Sequence, residues 1–259
     1  MRLDLAGLRD AFHGTLVTPY DSGYEAVRVL FNTRVRTRPA LIAQCADSGD
    51  VAAAIAFARE AGLPLAVRGG GHHAAGLSLV EGGVVVDVGG LRSISLDAEA
   101  RTVTVGPGVG WRDIDKVTYV GHTFTGDDGL EYGLAGPGGE CPTVSNAGYS
   151  LGGGYGPLGR TFGLGCDHIV AAEVVDANGT VLRVSAEEHP ELFWALRGAG
   201  GAGVLCGPAG RGPVLRRRDD PEAGRGYRAA GRGGRAGPAC RRRGSMTVSA
   251  GAARSCRTS

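Results

Sequence analysis

Two stretches of this chain set a potential nucleophile in backbone that is nearly all glycine. The first is Arg68-Gly69-Gly70-Gly71-His72-His73, with Gly76 just beyond it. The second runs Gly139-Glu140-Cys141-Pro142-Thr143-Val144-Ser145-Asn146-Ala147-Gly148-Tyr149 and continues through Gly153, Gly154 and Gly156. Glycine lets the main chain come close to a ligand and present N–H groups with no side chain in the way. A phosphate-bearing cofactor suits such a surface, and an imidazole or thiolate facing it could bond to the cofactor covalently. His72 needs a free ring nitrogen for that. Cys141 needs thiolate character, which surrounding N–H donors favour. Taken one at a time, these glycines could equally serve turns and close strand contacts. Neither Gly106-Pro-Gly-Val-Gly110 nor Gly152-Gly-Gly-Tyr-Gly156 fits the dinucleotide fingerprint well.

Loops of this kind need rigid elements to position them. Ala40-Leu-Ile-Ala43 follows Pro39 and reads as a strand. Asp47 offers an N-cap with Asp50 in the first turn, and Val51, Ala54, Ile55 and Ala58 follow at helical spacing until Gly62 and Pro64 stop the helix. Leu65-Ala-Val67 is the next strand and runs into the first glycine loop. This is a βαβ pattern with the loop at the C-terminal end of a strand, where α/β sheets bind ligands. Val84–Val88, Ser93–Leu96 and Thr102–Val105 read as short strands, and Trp111–Tyr119 as a helix with Asp113 and Asp115 on its wet side. Ile169–Val175 and Thr180–Val184 flank Asp176-Ala-Asn-Gly179, a hairpin signal, and Pro190–Arg197 reads as a helix with proline in its first turn. The chain therefore reads as mixed α and β.

Composition narrows the function classes. Of 259 residues, 47 are Gly, about 18% against the usual roughly 7%. The net charge of +2 hides an uneven distribution. Residues 205–259 carry 13 Arg and three acidic residues, a net +10, and residues 1–204 carry −8. An acidic body argues against nucleic acid as its main partner. The six cysteines form no CxxC pair and no zinc-ligand spacing, so no metal site is expected. Met1-Arg-Leu-Asp-Leu5 has no apolar run behind it, so neither a signal peptide nor a membrane span is expected, and a cytoplasmic location is the default.

Over residues 39–201 the chain resembles the flavoproteins of the vanillyl-alcohol-oxidase superfamily, in the branch of berberine-bridge-type oxidases. Arg68-Gly-Gly-Gly-His72 is similar to the family loop that wraps the FAD diphosphate and attaches His to the flavin 8α-methyl. Gly139-Glu-Cys141-Pro-Thr-Val144 is similar to the segment whose Cys bonds to flavin C6 in bicovalent members. Leu151 to Arg160, Gly163 to Val170, Glu173 to Asp176 and Phe193 to Gly201 follow the family order and spacing. The resemblance implies a two-lobed α+β domain of the PCMH type, with a βαβ-containing lobe over residues 1–98 and a strand-rich lobe over residues 99–204. It implies FAD held by Arg68, Gly69, Gly70, Gly71, His72, His73, Gly76, Gly139, Cys141, Val144, Ser145, Gly148, Tyr149, Gly153, Gly154, Gly156, Asp167, Ile169 and Val174. Several of these roles stay open. Cys141 could be bonded to the flavin or stand unmodified beside it. His73 could support the loop or simply be solvated. Tyr149 could donate to the flavin pyrimidine edge or only pack, and Cys166 reads as an inert packed thiol. Gly121–Asp128, with His122, Asp127 and Asp128, looks like a loop insertion.

The resemblance also implies an oxidase reaction, hydride transfer from a hydroxyl- or amine-bearing carbon to FAD. A sugar, an alcohol or a secondary metabolite would be the substrate and dioxygen the acceptor. No counterpart of the family's substrate domain is expected in this sequence. Of the 55 residues from 205 onward, 37 are Arg, Gly, Ala or Pro, with no periodicity and little to bury. That segment is expected to be disordered, and its composition is what a shifted reading frame in a GC-rich gene produces. Two further classes remain: a catalytically dead FAD-binding fragment, and a basic-tailed interaction or nucleic-acid-binding protein on an α/β core.

Overall fold

The computed structural model describes residues 3–119, 123–125, 131–200, 204–211 and 214–216. His122, Asp127 and Asp128 of the expected insertion, and the tail beyond residue 216, lie outside the described residues. The described residues all fall in one compact unit. Among the described residues, no helix is long and apolar enough to cross a membrane.

A first layer is a four-stranded sheet. Its strands are β1 (Thr15–Val17), β2 (Leu41–Gln44), β3 (Leu65–Arg68) and β4 (Val84–Asp87), in the order β1-β2-β4-β3. Short helices α1 (Ala6–Ala11) and α2 (Tyr24–Val27) flank β1, and α3 (Ser48–Glu60) links β2 to β3. Strands β2 and β3 both run parallel to β4, which lies between them. The βαβ unit is thus present, with a third strand inserted at its centre. Val84, Val85 and Val86 are fully buried, as a strand covered on both faces requires.

The start of α3 follows the sequence reading. The Asp47 carboxylate accepts the Asp50 N–H at 2.9 Å. Asp50 itself is fully buried, and it accepts the N–H groups of His13, Gly14 and Ala46, each at 2.8 Å. One carboxylate therefore anchors the chain before β1 to the start of α3, with its charge satisfied by three donors. Val51, Ala54 and Ile55 pack on Ala43 and Val86 of this sheet and on Val175 of the next.

The second layer begins at β5 (Ile94–Asp97) and β6 (Thr102–Val105), followed by α4 (Trp111–Tyr119). A separate sheet contains β7 (Thr123–Thr125) and β8 (Glu131–Leu134). Then come α5 (Asn146–Leu151), α6 (Gly159–Phe162), a 3₁₀ turn at Gly165–His168, β9 (Ile169–Val175), β10 (Val181–Ser185) and α7 (Pro190–Leu196). Helices α5 and α7 bury Ala147, Leu151, Phe193 and Leu196 against Ile169, Ala172 and Val174. Cys166 is buried in the same cluster, and its burial pushes its thiol pKa up, as fits an inert packed thiol.

The strands extend further than the composition predicts. Residues 204–211 form β11, and Val214–Arg216 form β12, which pairs with β8. The five-stranded sheet has the order β10-β9-β11-β6-β5. Disorder from residue 205 is therefore corrected for residues 205–211 and 214–216. Ladder hydrogen bonds are made by the main chain, so a segment poor in large apolar residues can still fill a slot between two strands. Its composition leaves a mark: the register shifts between Leu205 and Gly207 and again between Ala209 and Gly210, on either side of Pro208, which has no N–H to give.

Candidate functional site

The first glycine loop connects β3 directly to β4. Its base is set by Arg68, whose Nη2 donates to Asp87 Oδ2 at 2.5 Å and whose Nη1 donates to the Val27 carbonyl at 2.6 Å. Both side chains are 8% exposed. Arg68 thus ties the C-terminal ends of β3 and β4 together where the loop begins.

The second loop closes on the first. The Gly70 N–H donates to Ser145 Oγ at 2.9 Å. A Cβ on Gly70 would fall 2.9 Å from the Ser145 nitrogen and 3.2 Å from the Thr143 carbonyl oxygen, so only glycine permits this approach. Gly71 has φ +69°, which turns the chain toward His72. Val109 and Gly110 hold the other side, since Asn146 N–H donates to the Val109 carbonyl and Gly110 bridges to Ser145. The Gly106–Gly110 stretch is therefore a packing device: a Cβ on Gly108 would fall 2.3 Å from the Gly89 carbonyl.

The two nucleophiles meet through a residue that was not singled out in the sequence. His72 Nε2 lies 3.1 Å from Thr143 Oγ1, and Thr143 Oγ1 lies 3.5 Å from Cys141 Sγ. The His72 ring is stacked on Phe31 at 4.5 Å between centroids. The Thr143 hydroxyl, followed by the main-chain N–H groups of Thr143 and Val144, holds the Cys141 thiol below its ordinary pKa. Thr143 sits in plain view in Cys-Pro-Thr-Val, but only the fold shows that it reaches His72. Phe31 carried no signal, because nothing near it in sequence has a chemical role.

A second centre surrounds Tyr149. Its ring meets Trp111 edge-on at 5.1 Å and 73°. Cβ atoms on Gly139, Gly154, Gly156 or Gly165 would each fall within 2.7–3.0 Å of Tyr149 atoms. Burial raises the Tyr149 pKa. Among the described residues, Tyr149 OH and Trp111 Nε1 are buried side-chain atoms with no hydrogen-bond partner.

His73 is exposed and accepts the Ala75 N–H at Nδ1, so it shapes the turn that closes at Gly76. A Cβ on Gly76 would fall 2.7 Å from Val35. Val144 is half-buried beside Trp111, Gly148 is exposed on α5, and Gly153 has φ +101°. Asp167 accepts the Leu164 N–H and pairs with Arg197 at 3.3 Å. Ile169 and Val174 have their side chains in the apolar core.

The donor set suits a group that carries phosphates and polar ring edges. Among the described residues, the N–H groups of Gly71, His72 and His73 have no partner, and two buried ring donors are unpaired as well. The family described as FAD binding domain matches residues 39–185, which include both loops.

The chain belongs to the FAD-binding-domain family.

This FAD-binding chain is 37% identical over 190 residues to (R)-6-hydroxynicotine oxidase of Paenarthrobacter nicotinovorans, covering 73% of this chain and 39% of that protein. It is 36% identical over 193 residues to berberine bridge enzyme-like 18 of Arabidopsis thaliana, covering 71% and 34%. Among solved structures, it is similar to glucooligosaccharide oxidase from Acremonium strictum, described with a 6-S-cysteinyl, 8α-N1-histidyl FAD. There the TM-score is 0.69 at 26% identity, over 80% of this chain and 41% of that one. The resemblance to berberine-bridge-type oxidases is thus borne out. The chain spans between 34% and 41% of the length of these relatives.

Proposed function

We propose that this chain holds FAD covalently, through His72 and Cys141, and forms the flavin-bearing part of an oxidase. The observation that carries this reading is the convergence of His72 Nε2 and Cys141 Sγ on one hydroxyl, Thr143 Oγ1. Two nucleophiles that share a hydrogen-bonding atom can face the same ligand.

Each residue has a physical task toward the cofactor. The unpaired N–H groups of the first glycine loop would take the diphosphate, as donors at close range without intervening side chains. Thr143 engages His72 Nε2, which leaves Nδ1 as the ring nitrogen for a bond to carbon. Phe31 holds the imidazole plane. Cys141, with its lowered pKa, supplies sulfur in nucleophilic form. Tyr149 OH and Trp111 Nε1 would give their unpaired protons to polar edges of the ring system. When bound, FAD would supply the redox chemistry, as acceptor of a hydride from a substrate carbon and donor of the electrons to dioxygen.

The substrate would carry a hydroxyl or amine on the carbon to be oxidised. Support comes from two of the relatives, one a 6-hydroxynicotine oxidase and one a glucooligosaccharide oxidase.

The mass of the intact protein tests the attachment. Wild-type chain from flavin-replete cells should carry one added FAD mass and keep its yellow colour through acid precipitation. The His72→Ala and Cys141→Ala variants should each retain it, and the double variant should lose it. A colourless wild type would overturn the reading. Oxygen consumption over amine, alcohol and sugar panels then separates an oxidase from a flavin carrier.

A further inference from the structure

Thr143 lies between the two nucleophiles, and its hydroxyl can donate to one while accepting from the other. We propose that Thr143 is a positioning residue that relays a proton from Cys141 Sγ to His72 Nε2 in the chain before flavin is attached. This rests on reading His72 and Cys141 as the attachment sites, and adds to them a residue and a proton path.

The step balances without any co-reactant. Cys141 Sγ–H gives its proton to Thr143 Oγ1 as the hydroxyl proton of Thr143 passes to His72 Nε2. An S–H bond breaks, an N–H bond forms, the hydroxyl is restored, and no electron changes hands. The products are a thiolate and an imidazolium on either side of one hydroxyl. That hydroxyl then donates to the thiolate and accepts from the imidazolium.

The backbone holds the three groups in place. The Val144 N–H donates to the Cys141 carbonyl at 3.3 Å, folding the loop so that Sγ and Oγ1 face each other. The Pro142 and Val144 carbonyls accept the N–H groups of Arg112 and Trp111, which pins the loop to the start of α4. On the other side, Gly70 leaves room for the Thr143 carbonyl, and Phe31 fixes the imidazole ring. The titratable or charged groups on these elements are His72 and His73 on the first loop, Glu140 beside Cys141, and Arg112, Asp113, Asp115 and Lys116 on α4.

Magnitudes decide whether the transfer is feasible. An ordinary thiol holds its proton more tightly than an ordinary imidazolium does, a gap that opposes transfer. Hydrogen bonds to the sulfur from the Thr143 hydroxyl and from two main-chain N–H groups lower the thiol and narrow that gap. A consequence follows for the pair. While Cys141 is a thiolate by this route, His72 is protonated and not a nucleophile, so the two act in turn.

The test uses the full chain produced in riboflavin-starved cells. Iodoacetamide alkylation of Cys141 is followed from pH 5.5 to 9 by mass spectrometry of the Cys141 peptide, which keeps the other thiols out of the signal. Wild type should show a midpoint below the ordinary thiol range. Thr143→Val should raise the midpoint by about one unit, which slows alkylation at pH 7 about tenfold. Thr143→Ser should restore the wild-type profile, which a merely structural loss would not allow. His72→Ala should reproduce Thr143→Val. An unchanged midpoint in either Thr143→Val or His72→Ala overturns the relay. Intact mass from flavin-replete cells scores attachment separately. A wild type that carries FAD beside an unshifted Thr143→Val profile sinks the relay alone, and a shifted profile beside a flavin-free wild type sinks the attachment alone.

Discussion

The main-chain N–H of Gly70 donates to the Ser145 hydroxyl at 2.9 Å, across 75 residues of sequence. This contact sets the distance between the two nucleophile-bearing loops. A methyl at Gly70 would meet main-chain atoms of Ser145 and Thr143, which cannot swing away as a side chain would. Gly70→Ala should therefore cost about 1–3 kcal/mol in urea unfolding and abolish the retained FAD mass. Ser145→Ala keeps the backbone approach and removes one hydrogen bond, so it should cost about 1 kcal/mol and leave part of the FAD mass. Equal flavin retention in wild type and Gly70→Ala would show that the loops do not need this proximity.

The ion pair of Arg68 and Asp87 is buried and tight. Removing one member leaves the other charge uncompensated. Asp87→Leu should cost about 3–5 kcal/mol by urea unfolding. The double replacement Arg68→Met/Asp87→Leu should be less damaging than Asp87→Leu alone, although it also frees the Val27 carbonyl. A double variant as unstable as the sum of its singles would mean that the two charges do not act as a pair.

Tyr149→Phe should act with opposite signs in the two forms of the protein. In the flavin-free chain it removes a buried hydroxyl with no partner among the described residues, so stability should rise by about 1 kcal/mol, or roughly 2–4 °C in Tm. In the flavin-loaded chain it removes a donor that the ring system would use, and Tm should fall. Melting curves of both forms read the two signs, and a rise in both would leave Tyr149 as packing alone.

His13 and Asp47 give stability a pH window. The hydrogen bond that His13 donates to Asp47, aided by the carboxylate's charge, raises the His13 pKa and lowers that of Asp47. A raised histidine contributes fully below its unfolded value near 6.5, and its contribution fades as pH rises through the folded value. A lowered carboxylate contributes above its unfolded value near 3.9, and its contribution fades as pH falls through the folded value. The Tm difference between wild type and His13→Ala should thus be largest between about pH 4 and 6.5 and narrow above. A difference that stays flat from pH 5 to 8.5 would remove the pair from the account.

Much of this was legible in the chain, and the reasons differ by element. The helix at Trp111–Tyr119 and the strand at Ile169–Val175 stand where the sequence puts them, the strand because the Asp176–Gly179 turn bounds it. The βαβ unit was legible from its own pattern, but the strand inserted at its centre was not, since β4 lies later in sequence and local pattern carries no sheet order. At the site, His72 and Cys141 announce themselves by residue type and glycine setting. Thr143 and Phe31 do not, because a hydroxyl and a phenyl ring acquire roles only from what the fold places beside them. Composition misled at residues 204–211, where pairing depends on main-chain groups that composition does not describe.

Strand β11 is the member of its sheet that pairs with both β9 and β6. Without it, the β9–β10 and β5–β6 hairpins would share no ladder among the described residues, and each would present a bare edge. Bare edges recruit other chains, and two-stranded ribbons are marginal in water. The first few residues of the arginine- and glycine-rich segment thus cover one edge of each hairpin. A version cut just before residue 204 would be expected to clump through edge pairing even with every flavin-facing residue intact.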